Sequence, residues 1–191
     1  MSHLDNLVQR CQQGELAAFS ELFEQQETAV YRLALTILQN EQDAEDAVQD
    51  VFLRIFEQIK NYRGQSSFRT WLTAIVVNSC RDKLRRRKVR RAFALDWLRG
   101  HASHHNVPAE ADQRQQSQQL WHLINTHLDD KHRLPLVLHY HERLSCAEVA
   151  DILGIRISTV YSRLNTARLR LRELLQAEME SSTAVHTRGA L

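Results

Sequence analysis

The stretch LSCAEVADILGIRISTVYSRLNTARLRLR, residues 144–172, predicts two helices joined by a short turn. Ser145 and Glu148 have the spacing of a capping box, in which two residues satisfy each other's backbone N–H groups at the start of a helix. Gly154 accommodates the left-handed conformation that ends a helix, and Ser158 is expected to cap the second helix. This stretch is therefore expected to fold as a helix-turn-helix.

The second helix of the pair has an apolar side and a polar side. Each residue turns a helix by about 100°, and on that spacing the apolar side consists of Val160, Leu164, Ala167 and Leu171. The other side carries hydroxyl, amide and guanidinium groups, which bind base edges and phosphates. Residues 152–172 include five arginines and no acidic residue, so this side is suited to DNA. A plain helical hairpin with solvated arginines is the alternative.

Apolar residues recur at spacings of three and four along the first half of the chain and predict three amphipathic helices. These helices are expected at residues 16–38, at residues 43–59 and from about Ser67 onward. Packed together, they would form one domain that ends near Arg91.

The second half of the chain is expected to hold a flexible linker, a second domain and a tail. Residues 92–119 contain a histidine cluster and a glutamine-rich run without helical periodicity, which is typical of a linker. The second domain is expected at residues 120–177 and a frayed tail at residues 178–191. Pro135 lacks an amide donor, so it should kink the first helix of this domain or shift its start.

The composition favours an all-α protein. Five glycines and two prolines among 191 residues are few of the residue types that tight turns and β-hairpins need, and the formal charge of +2 identifies no partner. Three widely spaced cysteines argue against a disulfide framework and a cysteine zinc site. No apolar stretch is long enough to predict a membrane span or a signal peptide, so a soluble, cytoplasmic protein is expected.

Two charged segments in the first half of the chain suggest binding surfaces. Residues 81–91 carry eight basic residues against Asp82 alone, and nucleic-acid phosphate is the expected counter-charge. A solvated basic arm is the alternative. The helix expected at residues 43–59 has an acidic outer stripe interrupted by outward-facing Leu53 and Phe56, a mixture that indicates a protein docking site. An ordinary solvated charge stripe is the alternative there.

Aromatic and basic residues alternate in the segment before the basic run, which contains Tyr62, Arg63, Phe68, Arg69 and Trp71. Aromatic rings near arginine stack on unpaired bases, which suggests a site for single-stranded nucleic acid. Phe68 and Trp71 also lie on the apolar stripe of their helix, so packing in the core is the favoured role for these two.

Five motifs follow one another along the chain. They are DAEDAVQDVFL at residues 43–53, YRG at residues 62–64, SFRTWL at residues 67–72, the segment 78–82 and the helix-turn-helix at residues 144–168. Together they resemble the extracytoplasmic-function (ECF) sigma factors of bacterial RNA polymerase. The resemblance implies two small helical domains on a flexible linker, with a region 2-like domain at residues 1–91 and a region 4-like domain at residues 120–177.

The resemblance assigns three binding surfaces to these motifs. Core RNA polymerase would bind Asp43, Asp46, Gln49, Asp50, Leu53 and Phe56. The minus-ten promoter element, as duplex and as melted non-template strand, would bind Asn61, Tyr62, Arg63, Gly64, Arg69, Asn78, Arg81 and Arg85. The minus-thirty-five element would bind Arg156, Ser158, Thr159, Ser162, Arg163, Asn165, Thr166 and Arg168.

The implied function is that of a bacterial sigma factor, which binds core polymerase and directs promoter recognition, DNA melting and transcription initiation. An anti-sigma factor is the expected regulator, and no direct insertion into a membrane is expected. The sequence has no phosphate-binding loop, HExxH motif or nucleophile elbow. We therefore predict no enzyme activity, no catalytic residue, no cofactor and no metal site.

The alternative function is an autonomous helix-turn-helix transcription regulator with an N-terminal sensing domain. Its best support is the ten histidines, including His101, His104 and His105 in the linker, because histidine is a common metal ligand. Their irregular spacing and the scarcity of neighbouring carboxylates disfavour metal sensing. A nuclease is weaker still, because the acidic residues at 43–50 lie along one outer helix face.

Overall fold

The chain divides into two compact helical units, Met1–His105 and Asn106–Leu191. This division is seen in a computed structural model that describes residues 3–95, 121 and 123–188. Every regular element in those residues is helical, which confirms the predicted all-α class. The linker residues 96–119 and the linker histidines fall outside the described part of the chain.

Four α-helices and a short 3-10 turn make up the described part of the first unit. In chain order they are α1 (His3–Gln12), α2 (Leu16–Leu38), α3 (Glu41–Gln58), the 3-10 turn (Ile59–Asn61) and α4 (Phe68–Leu95). The three helices predicted in this half of the chain are confirmed as α2, α3 and α4.

Side-chain caps explain where α3 and α4 begin. The Asn40 side chain accepts a hydrogen bond of 2.8 Å from the Asp43 N–H, so α3 begins at Glu41, slightly before its predicted start. The Ser67 hydroxyl accepts a bond of 3.1 Å from the Thr70 N–H in the first turn of α4. Each cap satisfies a backbone donor that has no partner within its helix.

The sequence pattern did not predict α1. This helix has ten residues, and its buried residues are Leu7, Val8 and Cys11, too few to show a clear helical period. α1 packs against α2, and the Arg10 Nε donates to the Glu15 carboxylate at the start of α2 at 2.9 Å. Such tertiary contacts stabilise a helix that is too short to be stable in isolation.

α4 continues to Leu95, beyond the boundary near Arg91 that the sequence predicted for the first domain. Arginine, lysine, alanine and leucine all have high helix propensity, and these residue types fill most of the second half of α4. The first residues of the predicted linker are therefore helical.

The core of the first unit lies where α2, α3 and α4 meet. Its largest fully buried side chains include Leu22, Val30 and Ile37 of α2, Val51 and Ile55 of α3, and Val76 and Val77 of α4. Removal of these apolar groups from water is the main favourable contribution to folding. One side of α3 is buried in this core, and the opposite side faces solvent.

The second unit contains the helix-turn-helix and two short helical segments before it. In chain order they are α5 (residues 123–127), α6 (Asp130–Leu136), a π-helical turn (Val137–His141), α7 (Cys146–Leu153) and α8 (Ile157–Arg188). α8 continues through the predicted tail as far as Arg188. The chain has no glycine or proline from residue 155 to residue 188, so no helix breaker ends α8 earlier.

Pro135 lies inside α6, the second helical segment of this unit, and not in the first helix as predicted. α5 ends before Leu128, and a new helix, α6, begins at Asp130 with Pro135 near its C-terminal end. The π-helical turn follows directly after α6. At the junction, the Val137 N–H donates to the carbonyls of Arg133 and Leu134.

The helix-turn-helix has the predicted capping box and one corrected cap. The Glu148 N–H donates to the Ser145 hydroxyl at 3.2 Å, and the Ser145 N–H donates to the Glu148 carboxylate at 2.9 Å. Gly154 ends α7 in the left-handed conformation, with φ of 65°. The prediction that Ser158 caps the second helix is wrong, because α8 begins at Ile157 and Ser158 lies within its first turn.

Loss of the capping box should destabilise the second unit locally. We expect Ser145→Ala to lower the stability of α7 by about 1 kcal/mol, because the Glu148 N–H loses its acceptor. Hydrogen exchange of the α7 amides measures this change. Ser158→Ala is the matched control, since this serine caps no helix and its replacement should leave α7 exchange unchanged. Equal effects of the two substitutions would contradict the corrected cap assignment.

Candidate functional site

The outer side of α3 combines exposed apolar residues with carboxylates. The side chains of Leu53 and Phe56 are 64% and 53% exposed, which confirms that both point away from the core. Asp46 and Gln49 are also exposed one or two turns earlier on the helix. These four residues form a continuous outward surface of the kind expected at a protein interface.

Asp43 and Asp50, which the sequence analysis placed on the same outward stripe, instead face α4. Asp50 pairs with Lys83 at 3.0 Å, and Asp43 approaches Arg87 at 3.9 Å. All four residues are half-buried. The basic end of α4 therefore finds part of its counter-charge within the first unit, whereas nucleic-acid phosphate was the counter-charge expected from the sequence.

Asp82 is the acidic residue of the basic segment, and its carboxylate contacts arginines of both α3 and α4. Its carboxylate lies 3.5 Å from the Arg54 guanidinium of α3 and 3.2 Å from that of Arg85 one turn along α4. Arg85 remains exposed despite this bond, as do Arg86 and Arg90. A basic surface thus remains on α4 after the internal pairs are formed.

The loop before α4 is held by an aromatic cluster. The ring of Tyr62 lies 5.8 Å from that of Phe68 and 5.2 Å from that of Trp71. Phe68 is buried, as predicted, and Trp71 is half-buried. The Tyr62 hydroxyl donates to the Ser66 carbonyl at 2.7 Å, and burial, with a smaller effect of Asp5, raises the pKa of this phenol.

Gln12 of α1 holds the other side of this loop. Its Nε2 donates to the carbonyls of Ile59 at 3.1 Å and Tyr62 at 2.7 Å. Gln12 could not be predicted from local sequence patterns, because its bonds join segments that are far apart in the chain. α1 was not predicted to be a helix, so its packing of Gln12 against the loop was not predicted either.

The predicted minus-ten residues form two exposed groups. Asn61, Arg63, Gly64 and Arg69 are exposed around the aromatic cluster, and Gly64 has a positive φ of 70°. Asn78, Arg81 and Arg85 are exposed further along α4 at spacings of three and four, which places them on one face of the helix. Tyr62, the remaining member of the set, is half-buried.

The polar side of α8 has the exposure expected of a DNA-reading surface. Val160, Leu164 and Ala167 are buried and Leu171 is half-buried, so the predicted apolar side is confirmed. Of the predicted DNA-contacting set, the exposed residues are Arg156, Ser158, Ser162, Asn165 and Arg168, and the half-buried ones are Thr159, Arg163 and Thr166. Tyr161, 55% exposed, lies on the same side and was not in the predicted set.

Two histidines of the second unit bond to groups of the protein itself. His132 Nδ1 lies 2.5 Å from the Asp129 carboxylate, and His139 Nδ1 lies 2.8 Å from the Leu144 carbonyl. Although burial acts in the opposite direction, bonding to His132 lowers the pKa of Asp129. Within the described residues, no group of three or more His, Cys, Asp or Glu side chains is placed to hold a metal.

The part of the chain described by the structure has no helix long and apolar enough to cross a membrane.

Two sequence profiles match the two helical units. Residues 22–90 match sigma-70 region 2, and residues 126–173 match sigma-70 region 4. The first match covers α3, the aromatic loop and most of α4. The second covers the helix-turn-helix.

Similar proteins cover nearly the whole chain. The ECF RNA polymerase sigma-E factor of Haemophilus influenzae is 31% identical over 182 residues, which are 91% of this chain and 95% of that protein. The ECF RNA polymerase sigma factor SigE of Mycolicibacterium smegmatis is 34% identical over 178 residues, which are 90% of this chain but only 66% of that longer protein.

Solved sigma factor structures share the fold. The sigma factor RpoE from Bartonella quintana, solved with the anti-sigma factor NepR, aligns with a TM-score of 0.66 at 23% identity, covering 83% of this chain and 96% of that one. CnrH, solved with the cytosolic domain of CnrY, aligns with a TM-score of 0.64 at 24% identity over 90% and 96% of the two chains. With both regions matched in order on one chain, the protein belongs to the ECF family of RNA polymerase sigma factors.

Proposed function

We propose that this protein binds core RNA polymerase through α3 and positions it on promoters through two DNA-reading surfaces, one in each unit. The observation that carries the proposal is the combination, on one chain, of an exposed apolar and acidic α3 face with an exposed polar, arginine-bearing α8 face. An autonomous regulator has no need of the first surface. Family membership also favours the sigma factor function.

The polymerase-binding surface is centred on Leu53 and Phe56, with Asp46 and Gln49 beside them. Exposed apolar side chains supply most of the affinity of a protein interface, while the surrounding charges favour one partner and one orientation. Asp43 and Asp50 belong to the same surface at its edge, where they also bond to α4.

The minus-ten element is proposed to contact the aromatic loop and the exposed face of α4. The loop residues Asn61, Tyr62, Arg63 and Gly64 would receive an unstacked base of the non-template strand, with Arg69 at the edge. Unstacking a base costs a few kcal/mol, which contacts in a preformed pocket offset. The hydrogen bonds of Gln12 and Tyr62 support such preorganisation.

Asn78, Arg81 and Arg85 would then contact the neighbouring nucleotides. Melting is stabilised by binding, and no chemical step is required of this chain.

The minus-thirty-five element is proposed to receive α8 in its major groove. The capping box and the turn at residues 154–156 hold the N-terminal half of α8 outward, where its exposed side chains reach base edges and phosphates. Arg163 is an arginine of this surface, and a guanidinium can make two parallel bonds to a guanine.

An anti-sigma factor is the proposed regulator. Both solved relatives were determined as complexes, RpoE with the anti-sigma factor NepR and CnrH with the cytosolic domain of CnrY. Action together with polymerase would place this protein in the cytoplasm.

Run-off transcription tests the proposed function directly. Purified protein added to core polymerase should produce discrete transcripts from a library of genomic fragments of the source bacterium, and mapping of their 5′ ends should give shared sequence elements upstream. Core polymerase alone is the control. If the protein elutes separately from core polymerase in gel filtration and selects no start sites, an autonomous regulator becomes the better assignment.

A further inference from the structure

An unassigned groove lies beside the α3 face, between the turn from α1 to α2 and the C-terminal end of α3. It encloses about 340 Å³, and its walls include Cys11, Leu16, Phe19, Phe56 and Lys60. The walls are mostly apolar. Burial raises the pKa of the Cys11 thiol, so this side chain is a neutral part of the wall.

Leu16 is the most unusual residue of this groove. It is the first residue of α2, and its side chain is 70% exposed, the highest value among the exposed large hydrophobic residues of segments 3–90 and 123–176. Leu53, Phe56 and Val89 are the other exposed large hydrophobics within residues 3–90. Three of these four therefore lie on or next to the groove.

The groove and the α3 face are one continuous surface. Phe56 lines the groove and also lies one turn from Leu53 on α3. The ring of Phe19 stands nearly perpendicular to that of Phe56, with ring centres 5.0 Å apart, so the apolar strip passes from Leu53 through Phe56 and Phe19 to Leu16. An apolar patch of this kind on a protein surface marks an interaction site.

Hydrogen bonds and ion pairs join the segments on either side of the groove. Arg10 bonds to Glu15, the N-cap residue of α2, and also approaches Glu21 at 3.3 Å. The bond with Glu15 raises the pKa of Arg10 and lowers that of Glu15, so both groups stay charged. Because the Glu15 side chain is engaged in this way, it makes no capping bond to α2. The Gln12 bond to the Ile59 carbonyl fixes the opposite wall.

We propose that this groove receives an apolar side chain of core RNA polymerase and extends the polymerase-binding surface from α3 onto α2. This inference rests on the proposed function of the α3 face. The continuity of the apolar strip selects polymerase as the occupant, because a partner seated on Leu53 and Phe56 must pass the mouth of the groove. The exposed Glu57 and Lys60 at its edge supply charges of both signs for orientation.

The experiment measures the affinity of labelled full-length protein for purified core polymerase by fluorescence anisotropy. We expect Leu16→Glu to weaken binding by about tenfold to a hundredfold, the effect of losing one buried leucine contact at an interface. Leu16→Ala should weaken it in the same direction but less. A glutamate at this position is favourable for the start of a helix, so α2 should remain folded. Circular dichroism verifies this.

Ala17→Glu is the matched control. Ala17 is exposed and is the next residue of α2, so the same charge is added about 100° further around the helix. Its affinity for polymerase should equal that of the wild type. An equal loss in Ala17→Glu and Leu16→Glu would overturn the proposal, because the effect would then come from charge alone.

Leu53→Glu separates the two possible failures. If Leu53→Glu weakens binding and Leu16→Glu does not, the α3 face is the polymerase surface and the groove is not part of it. If neither changes the affinity, the proposed polymerase surface itself is overturned together with the groove.

Sedimentation velocity provides a further check. If Leu16→Glu dissociates a dimer of this chain without changing polymerase affinity, the occupant is a second copy and the proposal is overturned.

Discussion

Leu53→Glu is expected to weaken association with core polymerase by about a hundredfold while the first unit stays folded. The leucine is exposed in the free protein, so a carboxylate there remains solvated and the free energy of unfolding should change by less than about 0.5 kcal/mol. In the complex the same carboxylate would replace an apolar contact and lose its water. The change therefore acts on the bound state.

The measurement is a titration of labelled protein with core polymerase, with thermal unfolding of each variant recorded in parallel. Leu175→Glu is the matched control, because it makes the same chemical change at an exposed leucine of α8 in the other unit. Wild-type affinity of Leu53→Glu would remove the polymerase-binding role from the α3 face.

Arg163→Ala is expected to lower transcription from the cognate promoter by about tenfold to a hundredfold, the effect of losing one bidentate contact to a base pair. Arg163 is half-buried on α8, beside Ser162 and one turn before Thr166 and Ala167. Affinity for core polymerase should not change.

Arg172→Ala is the control for this substitution. It removes the same charge from an exposed position on α8, more than two turns further from the helix-turn-helix turn. Promoters selected by the wild type in run-off transcription provide the templates. Loss of polymerase binding in Arg163→Ala, with promoter binding retained, would show that the surfaces have been assigned to the wrong units.

Local patterns in the sequence were sufficient for most of the fold. The apolar spacing of residues 16–38 predicted α2, and the capping box with Gly154 predicted α7 and its end. These features depend on residues close together in the chain. The second-helix cap was misassigned to Ser158 because serine is a common cap residue, whereas the backbone places Arg156 immediately before the first helical residue, Ile157.

The charged part of the candidate site shows what local patterns omit. A helical wheel of α3 places Asp43, Asp46 and Asp50 on one stripe, yet the structure leaves Asp46 exposed and pairs the other two with α4. The difference arises from the packing of α3 against α4. Gln12 and the groove at Leu16 were missed for the same reason, because each depends on how α1 and α2 approach the end of α3.

The ion pairs between α3 and α4 also constrain how such proteins can be recombined. A chimera that receives a foreign α4, in order to change its minus-ten preference, would place Asp43 and Asp50 opposite side chains that were not selected with them. Each of these partly exposed pairs contributes up to about 1 kcal/mol, so such a graft would lose some stability together with two contacts between α3 and α4. Exchange of α3 and α4 as one cassette keeps each aspartate with its own lysine or arginine, although the recipient then also acquires the donor's affinity for polymerase.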